Sequence, residues 1–161
     1  MVMAIKEPSR QEDGTTPKPI EILLVEDNPG DVRLAQEAFR DARVPCELVV
    51  ARDGVEALEL LGQVPGDAEQ ELPDLILLDL NLPRQDGREV LAALKGDPAW
   101  RHIPVVVLTS SEAESDVRQA YDLQANCYVV KPMDLDRFLA LMRAIEEFWL
   151  MTAKLPNRSA P

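Results

Sequence analysis

The chain has 161 residues, 46% hydrophobic and 29% charged, which suits one compact domain with its own core and excludes a disordered or fibrous chain. Acidic residues outnumber basic ones 29 to 17, and a formal net charge of -12 argues against a broad electrostatic footprint for nucleic acid. Cys46 and Cys127 are too few for a disulfide scaffold or a tetrahedral zinc site, and no run is long or apolar enough for a secretory leader or a membrane span, so buried free thiols and a cytoplasmic location are expected.

Residues 1–18 mix Pro, Ser, Gly and charges without periodicity and read as a mobile tail. The domain follows over residues 19–152, with a short tail at 153–161. IEILLV (20–25) reads as a buried strand, and residues 31–42 carry Val32, Ala35, Ala38 and Phe39 at helical spacing. The more mixed CELVVA (46–51) is a second strand, and residues 54–61, with Val55, Leu58 and Leu61, a second helix. DLILLDL (74–80) is followed by a helix at 87–95, PVVVLTS (104–110) by one at 112–123, and CYVVKP (127–132) by one at 134–151. Short, continuously apolar strands alternating with amphipathic helices imply a mainly parallel, doubly wound α/β sheet covered on both faces. In such sheets ligands bind outside the carboxyl ends of the strands.

Those ends hold Glu26-Asp27, Asp79, Thr109 and Lys131. Two carboxylates about 4 Å apart repel by roughly 1 kcal/mol in water and about 4 kcal/mol at a surface-like dielectric, so three together call for a cation. Hard oxygen ligands with open positions suit Mg²⁺, held by Glu26, Asp27 and Asp79 with the Asn81 backbone carbonyl as a further ligand. A carboxylate nucleophile attacking phosphorus gives an aspartyl-phosphate, and a metal offsets the charge that opposes the attack. Asp79 is the candidate nucleophile, with Lys131 to neutralise the phosphoryl group and Thr109 to hydrogen-bond one of its oxygens.

VEDNPGD (25–31), LLDLNLPRQDG (77–87), VVLTSS (106–111) and VVKP (129–132) resemble the signature of response-regulator receiver domains over residues 20–151. The resemblance implies a flavodoxin-like (βα)5 fold with strand order 2-1-3-4-5 and a sensor histidine kinase that donates its phosphoryl group to Asp79. It makes Thr109 the switch hydroxyl, Tyr128 the switch aromatic, and the Lys131–Pro132 peptide cis, a form only an X-Pro bond tolerates cheaply. Asn81 and Ser111 stand where the family tunes the lifetime of the phosphoryl group. DLNLPRQDGREVL (79–91), NCYVVKP (126–132) and EEFWL (146–150) are similar to the short stand-alone regulators of bacterial phytochromes, which implies a phytochrome kinase as partner and light as input.

Each residue also has a plainer reading. Glu26 and Asp27 could cap the following helix, Thr109 could close a strand, Tyr128 could be a packing ring, and Asp86-Gly87 reads as a turn opening the third helix. His102 reads as a solvated loop residue. The last helix is apolar nearly all round, and Phe148 and Trp149 are candidates for burial against a second copy in an isologous dimer formed through the fourth helix, fifth strand and last helix. A magnesium-dependent phosphohydrolase would need a second Asp two residues after the nucleophile, where Asn81 stands, and residues 154–161 are too few for a DNA-binding output. No enzyme activity is expected beyond the chain's own phosphorylation and dephosphorylation, with output through an unnamed partner. The alternative is a receiver-like binding module that works without phosphorylation; it is disfavoured because Asp79 and Lys131 are both retained.

Overall fold

A computed structural model describes residues 18–62 and 72–156. The tail read at 1–18 lies outside the described residues except for Lys18, and the one at 153–161 is described to residue 156. In chain order the elements are β1 (Ile20–Val25), α1 (Pro29–Arg40), β2 (Cys46–Ala51), α2 (Gly54–Gly62), β3 (Leu75–Leu78), α3 (Gly87–Gly96), β4 (Val105–Thr109), α4 (Glu114–Asp122), β5 (Cys127–Val130) and α5 (Leu135–Ile145), followed by a π-helical segment at Glu146–Thr152.

All four strand pairings are parallel, in the order β2-β1-β3-β4-β5, the doubly wound order expected from the sequence. Because successive side chains of a strand point to opposite faces, the apolar runs divide between two cores. Leu23, Val25, Ile76, Leu78, Val105 and Val107 pack with Ala57 and Leu61 of α2, Val90, Leu91 and Leu94 of α3, and Ala120 of α4. Ile22, Leu24, Leu75, Leu77, Val106 and Leu108 pack with Val32, Ala35 and Phe39 of α1 and Phe138, Met142 and Ile145 of α5. Each fully buried Leu or Ile contributes about 1.5–3 kcal/mol. These two cores hold the strand ends at fixed spacing.

Local chemistry sets the helix starts. Asn28 caps α1 by accepting from the N–H groups of Gly30 and Asp31, with Pro29 at the first helical position, where its missing donor costs nothing. Asp86 and Asp134 cap α3 and α5 in the same way.

The structure departs from the sequence reading in four places. β3 ends at Leu78 and β5 at Val130, so Asp79 and Lys131 stand just beyond their ladders. The continuous last helix is instead α5 followed by π winding from Glu146. That wider turn brings Glu146 inward, where its Oε1 accepts the Arg43 N–H at 2.7 Å. The expected cis Lys131–Pro132 bond is trans, since the described residues contain no cis peptide. Trans is the form an X-Pro bond favours by about 0.5–1 kcal/mol when nothing enforces the other.

Candidate functional site

Backbone hydrogen bonds fix the rim before any side chain acts. The Glu26 N–H donates to the Ala51 carbonyl at 2.9 Å, the Asp79 N–H to Val25 at 3.0 Å, and the Lys131 N–H to Thr109 at 2.8 Å. Glu26, Asp79, Thr109 and Lys131 are thereby brought to one edge of the sheet. Glu26 is 2%, Asp79 6% and Thr109 0% exposed, while Asp27 is open to solvent. Asn28, not the acidic pair, caps α1 through its side chain, while Glu26 Oε1 accepts the Asn28 N–H at 3.1 Å.

The Lys131 ammonium sits among three carboxylates. Its Nζ donates to Glu26 Oε2, to Asp31 Oδ2 at 3.0 Å and to Asp79 Oδ2 at 3.0 Å. The other Asp79 oxygen, Oδ1, accepts the Asn81 N–H at 3.1 Å, and Asn81 Nδ2 reaches Thr109 Oγ1 at 3.4 Å. Oxygens of Glu26, Asp27 and Asp79 all lie within 4.8 Å of one another, close enough for one hard cation to bridge.

The charges do not balance within this group. Burial opposes the charge on Lys131, yet its hydrogen bond to Glu26 and the negative charge of Asp79 more than reverse that and hold the ammonium above the ordinary lysine value. Burial pushes Glu26 up to about 7, despite the Lys131 hydrogen bond, and the nearby Asp79 charge adds to the rise. Several carboxylates share one ammonium, so the most deeply buried of them is the one that resists ionisation.

A second network extends from the rim. The Tyr128 ring is half-buried against the core and its hydroxyl donates to the Ser111 carbonyl at 2.9 Å. Ser111 Oγ donates to Asp116 Oδ2 at 2.5 Å, and Arg88 of α3 bonds the other oxygen of Asp116 at 2.7 Å while also pairing with Asp86 at 3.2 Å. The Ser111 hydrogen bond, then Arg88, holds the Asp116 carboxyl below the usual value. Gly87, next to Arg88, is a contact point of its own. A Cβ added there would lie 2.2 Å from the Asp79 carbonyl oxygen and 2.6 Å from Leu80 Cα.

Of the residues named from the sequence, the structure brings Glu26, Asp27, Asp79, Asn81, Thr109 and Lys131 together at the rim and Ser111 and Tyr128 into the adjoining network; Asp31, Arg88 and Asp116 were not singled out from the sequence. Asp31 carried a usable signal as an acidic residue in the first turn of the helix that leaves the rim; Arg88 and Asp116 carried none, because their pairing depends on how α3 and α4 pack. His102 is exposed in the loop before β4, as expected. Of the two aromatic residues near the end of the chain, Phe148 is 54% exposed, whereas Trp149 packs partly on the chain's own core, with the rings edge-on at 5.2 Å.

Comparison with known proteins agrees with this geometry. The family model described as the response regulator receiver domain matches residues 22–143. Response regulator Rcp1 of Synechocystis is 47% identical over 135 residues, covering 84% of this chain and 92% of that protein, and its structure has been solved in a Mn²⁺-bound form. The cyanobacterial phytochrome response regulator RcpA, solved in its phosphorylated form, superposes with a TM-score of 0.82 at 51% identity, covering 87% of this chain and all of the other (100%). The bacteriophytochrome response regulator AtBRR gives a TM-score of 0.65 at 43% identity, covering 88% and 100%. With the family model matching residues 22–143 and relatives of 47–51% identity covered over most of their length, the chain belongs to the response regulator receiver domain family.

Proposed function

We propose that the chain accepts a phosphoryl group from the phosphohistidine of a sensor kinase on Asp79, with Mg²⁺ held by Glu26, Asp27, Asp79 and the Asn81 backbone carbonyl. A carboxylate oxygen of Asp79 attacks phosphorus, the P–N bond to the kinase histidine breaks, and the imidazole leaves neutral after taking up a proton. Mg²⁺ held by these residues would supply positive charge to offset the negative charge developing on the transferring oxygens. Lys131 pairs with one of those oxygens and the Thr109 hydroxyl donates to another. The observation that carries this reading is the placement of Lys131 Nζ 3.0 Å from Asp79 Oδ2 beside the three carboxylates able to share one cation.

Movement of Thr109 toward the phosphoryl group draws Tyr128 inward and alters the surface of α4, β5 and α5, through which a partner protein is engaged. Similarity to Rcp1, RcpA and AtBRR supports a phytochrome-type kinase as donor. Exposed Phe148 and Met151 support an isologous dimer through the end of the chain. A cytoplasmic location belongs to this reading; among the described residues no helix is long and apolar enough to cross a membrane.

The test is transfer of radiolabelled phosphoryl from an autophosphorylated kinase core of the bacterial phytochrome class. Label should pass to the wild type in Mg²⁺, stop on chelation, and fail to reach Asp79→Asn. Equal labelling of Asp79→Asn would remove Asp79 from its role.

A further inference from the structure

The Lys131 ammonium has three acceptors with different duties. Glu26 and Asp79 belong to the trio that would share a cation, and Asp31 does not. Asp31 is held in place by the capped start of α1. It lies in the first turn of α1, its N–H donates to Asn28 Oδ1 at 3.1 Å, and its carboxylate reaches Lys131 at 3.0 Å.

A divalent cation held by the trio would compete for the Glu26 and Asp79 oxygens, and its charge would repel the ammonium that those oxygens hold. Lys131 is largely enclosed, with its side chain 9% exposed, so solvent offers it little substitute. Of its three carboxylate partners only Asp31 is left for the metal-loaded state.

We propose that Asp31 is a positioning residue that retains the Lys131 ammonium when metal displaces it from Glu26 and Asp79, keeping Nζ beside the site until a phosphoryl oxygen replaces the lost contacts. This rests on the metal ligation proposed above. It makes metal binding depend on Asp31 through Lys131, and not only through the negative charge that Asp31 adds.

The experiment is a double-mutant cycle on the full chain, with Mn²⁺ affinity read by electron paramagnetic resonance for wild type, Asp31→Asn, Lys131→Met and the double variant. Asp31→Asn should weaken Mn²⁺ binding about tenfold. In the Lys131→Met background the same change should shift affinity by less than about twofold, and Asp31→Glu should restore most of the loss. An equal loss in both backgrounds makes Asp31 a mere added charge and overturns the proposal; so does wild-type affinity in Asp31→Asn. No Mn²⁺ binding by the wild type would overturn the metal-site reading as well, which separates the two failures. Where Lys131→Met does not fold, the Lys131 ammonium signal in ¹H–¹⁵N spectra of Mg²⁺-saturated protein decides. It should be slowly exchanging in the wild type and absent from Asp31→Asn, and its persistence in Asp31→Asn overturns the proposal.

Discussion

Gly87 ties the stability of the fold to the geometry of the site, and Gly87→Ala is the sharpest perturbation of that link. The added methyl would stand 2.2 Å from the Asp79 carbonyl oxygen and 2.6 Å from Leu80 Cα. Ordinary contact between heavy atoms is about 3.5–4.0 Å, so a separation of more than about 1 Å must open. Both obstructing atoms are backbone, and no rotamer change relieves them. The Gly87 N–H also donates to the Leu80 carbonyl at 2.9 Å, which resists the separation. Overpacking of this kind costs about 1–3 kcal/mol, and the rigidity of the contact places this case near 3. Better helix propensity in Ala returns up to about 1 kcal/mol, for a net loss of about 2 kcal/mol and a fall in Tm of roughly 4–8 °C. A shift of about 1 Å in Asp79 should also slow its phosphorylation by up to about a hundredfold. Urea unfolding and timed phosphorylation by a small phosphodonor measure the two effects. Gly96→Ala is the control, because nothing lies within 4 Å of its added Cβ. A Gly87→Ala protein within about 0.5 kcal/mol of wild type and phosphorylated at the wild-type rate would refute the reasoning.

Four further outcomes are expected. Because burial holds Glu26 up to about 7, a proton competes with metal there, and Mn²⁺ affinity should rise by up to about tenfold per pH unit below 7 and level off above it. Glu26→Gln should abolish that rise, and a pH-independent affinity would contradict it. In the metal-free protein the same shift sets a stability window. Below about 4.5, the ordinary glutamate value, both folded and unfolded forms are protonated and the contribution is fully present, and it is lost as pH rises through about 7, which urea melts across that range can follow. Arg88→Ala should cost about 1 kcal/mol, loosen the Ser111 segment that Asp116 holds, and change the phosphoryl lifetime several-fold, whereas an unchanged lifetime and unchanged Tyr128 resonances would detach that network from the switch. Phe148→Glu should convert a dimer to a monomer in sedimentation velocity, and a concentration-independent monomer mass for the wild type would end the dimer reading.

The sheet was legible because a strand buried on both faces must be apolar at successive positions, and LILL and VVVLT are buried throughout. β1 and β2 fall on residues 20–25 and 46–51 as read, even though the edge strand β2 alternates exposed and half-buried positions. Glu26, Asp79, Thr109 and Lys131 were legible because doubly wound topology sends every strand end to one rim, so position in the sequence alone gathers them. Asp31 was not singled out because a first-turn acid is already accounted for by the helix dipole. Arg88 and Asp116 pair across α3 and α4, a distance that no local pattern encodes. The π winding after Ile145 depends on the buried Glu146 finding the Arg43 N–H, 103 residues away in the chain, and the apolar pattern alone reads as one continuing helix.

The most direct test of the account is intact mass after incubation with Mg²⁺ and acetyl phosphate, for wild type and Asp79→Asn. The account predicts one adduct of about 80 Da, dependent on Mg²⁺ and labile, in the wild type alone. An adduct of the same yield on Asp79→Asn, or none on the wild type under any condition, would contradict it.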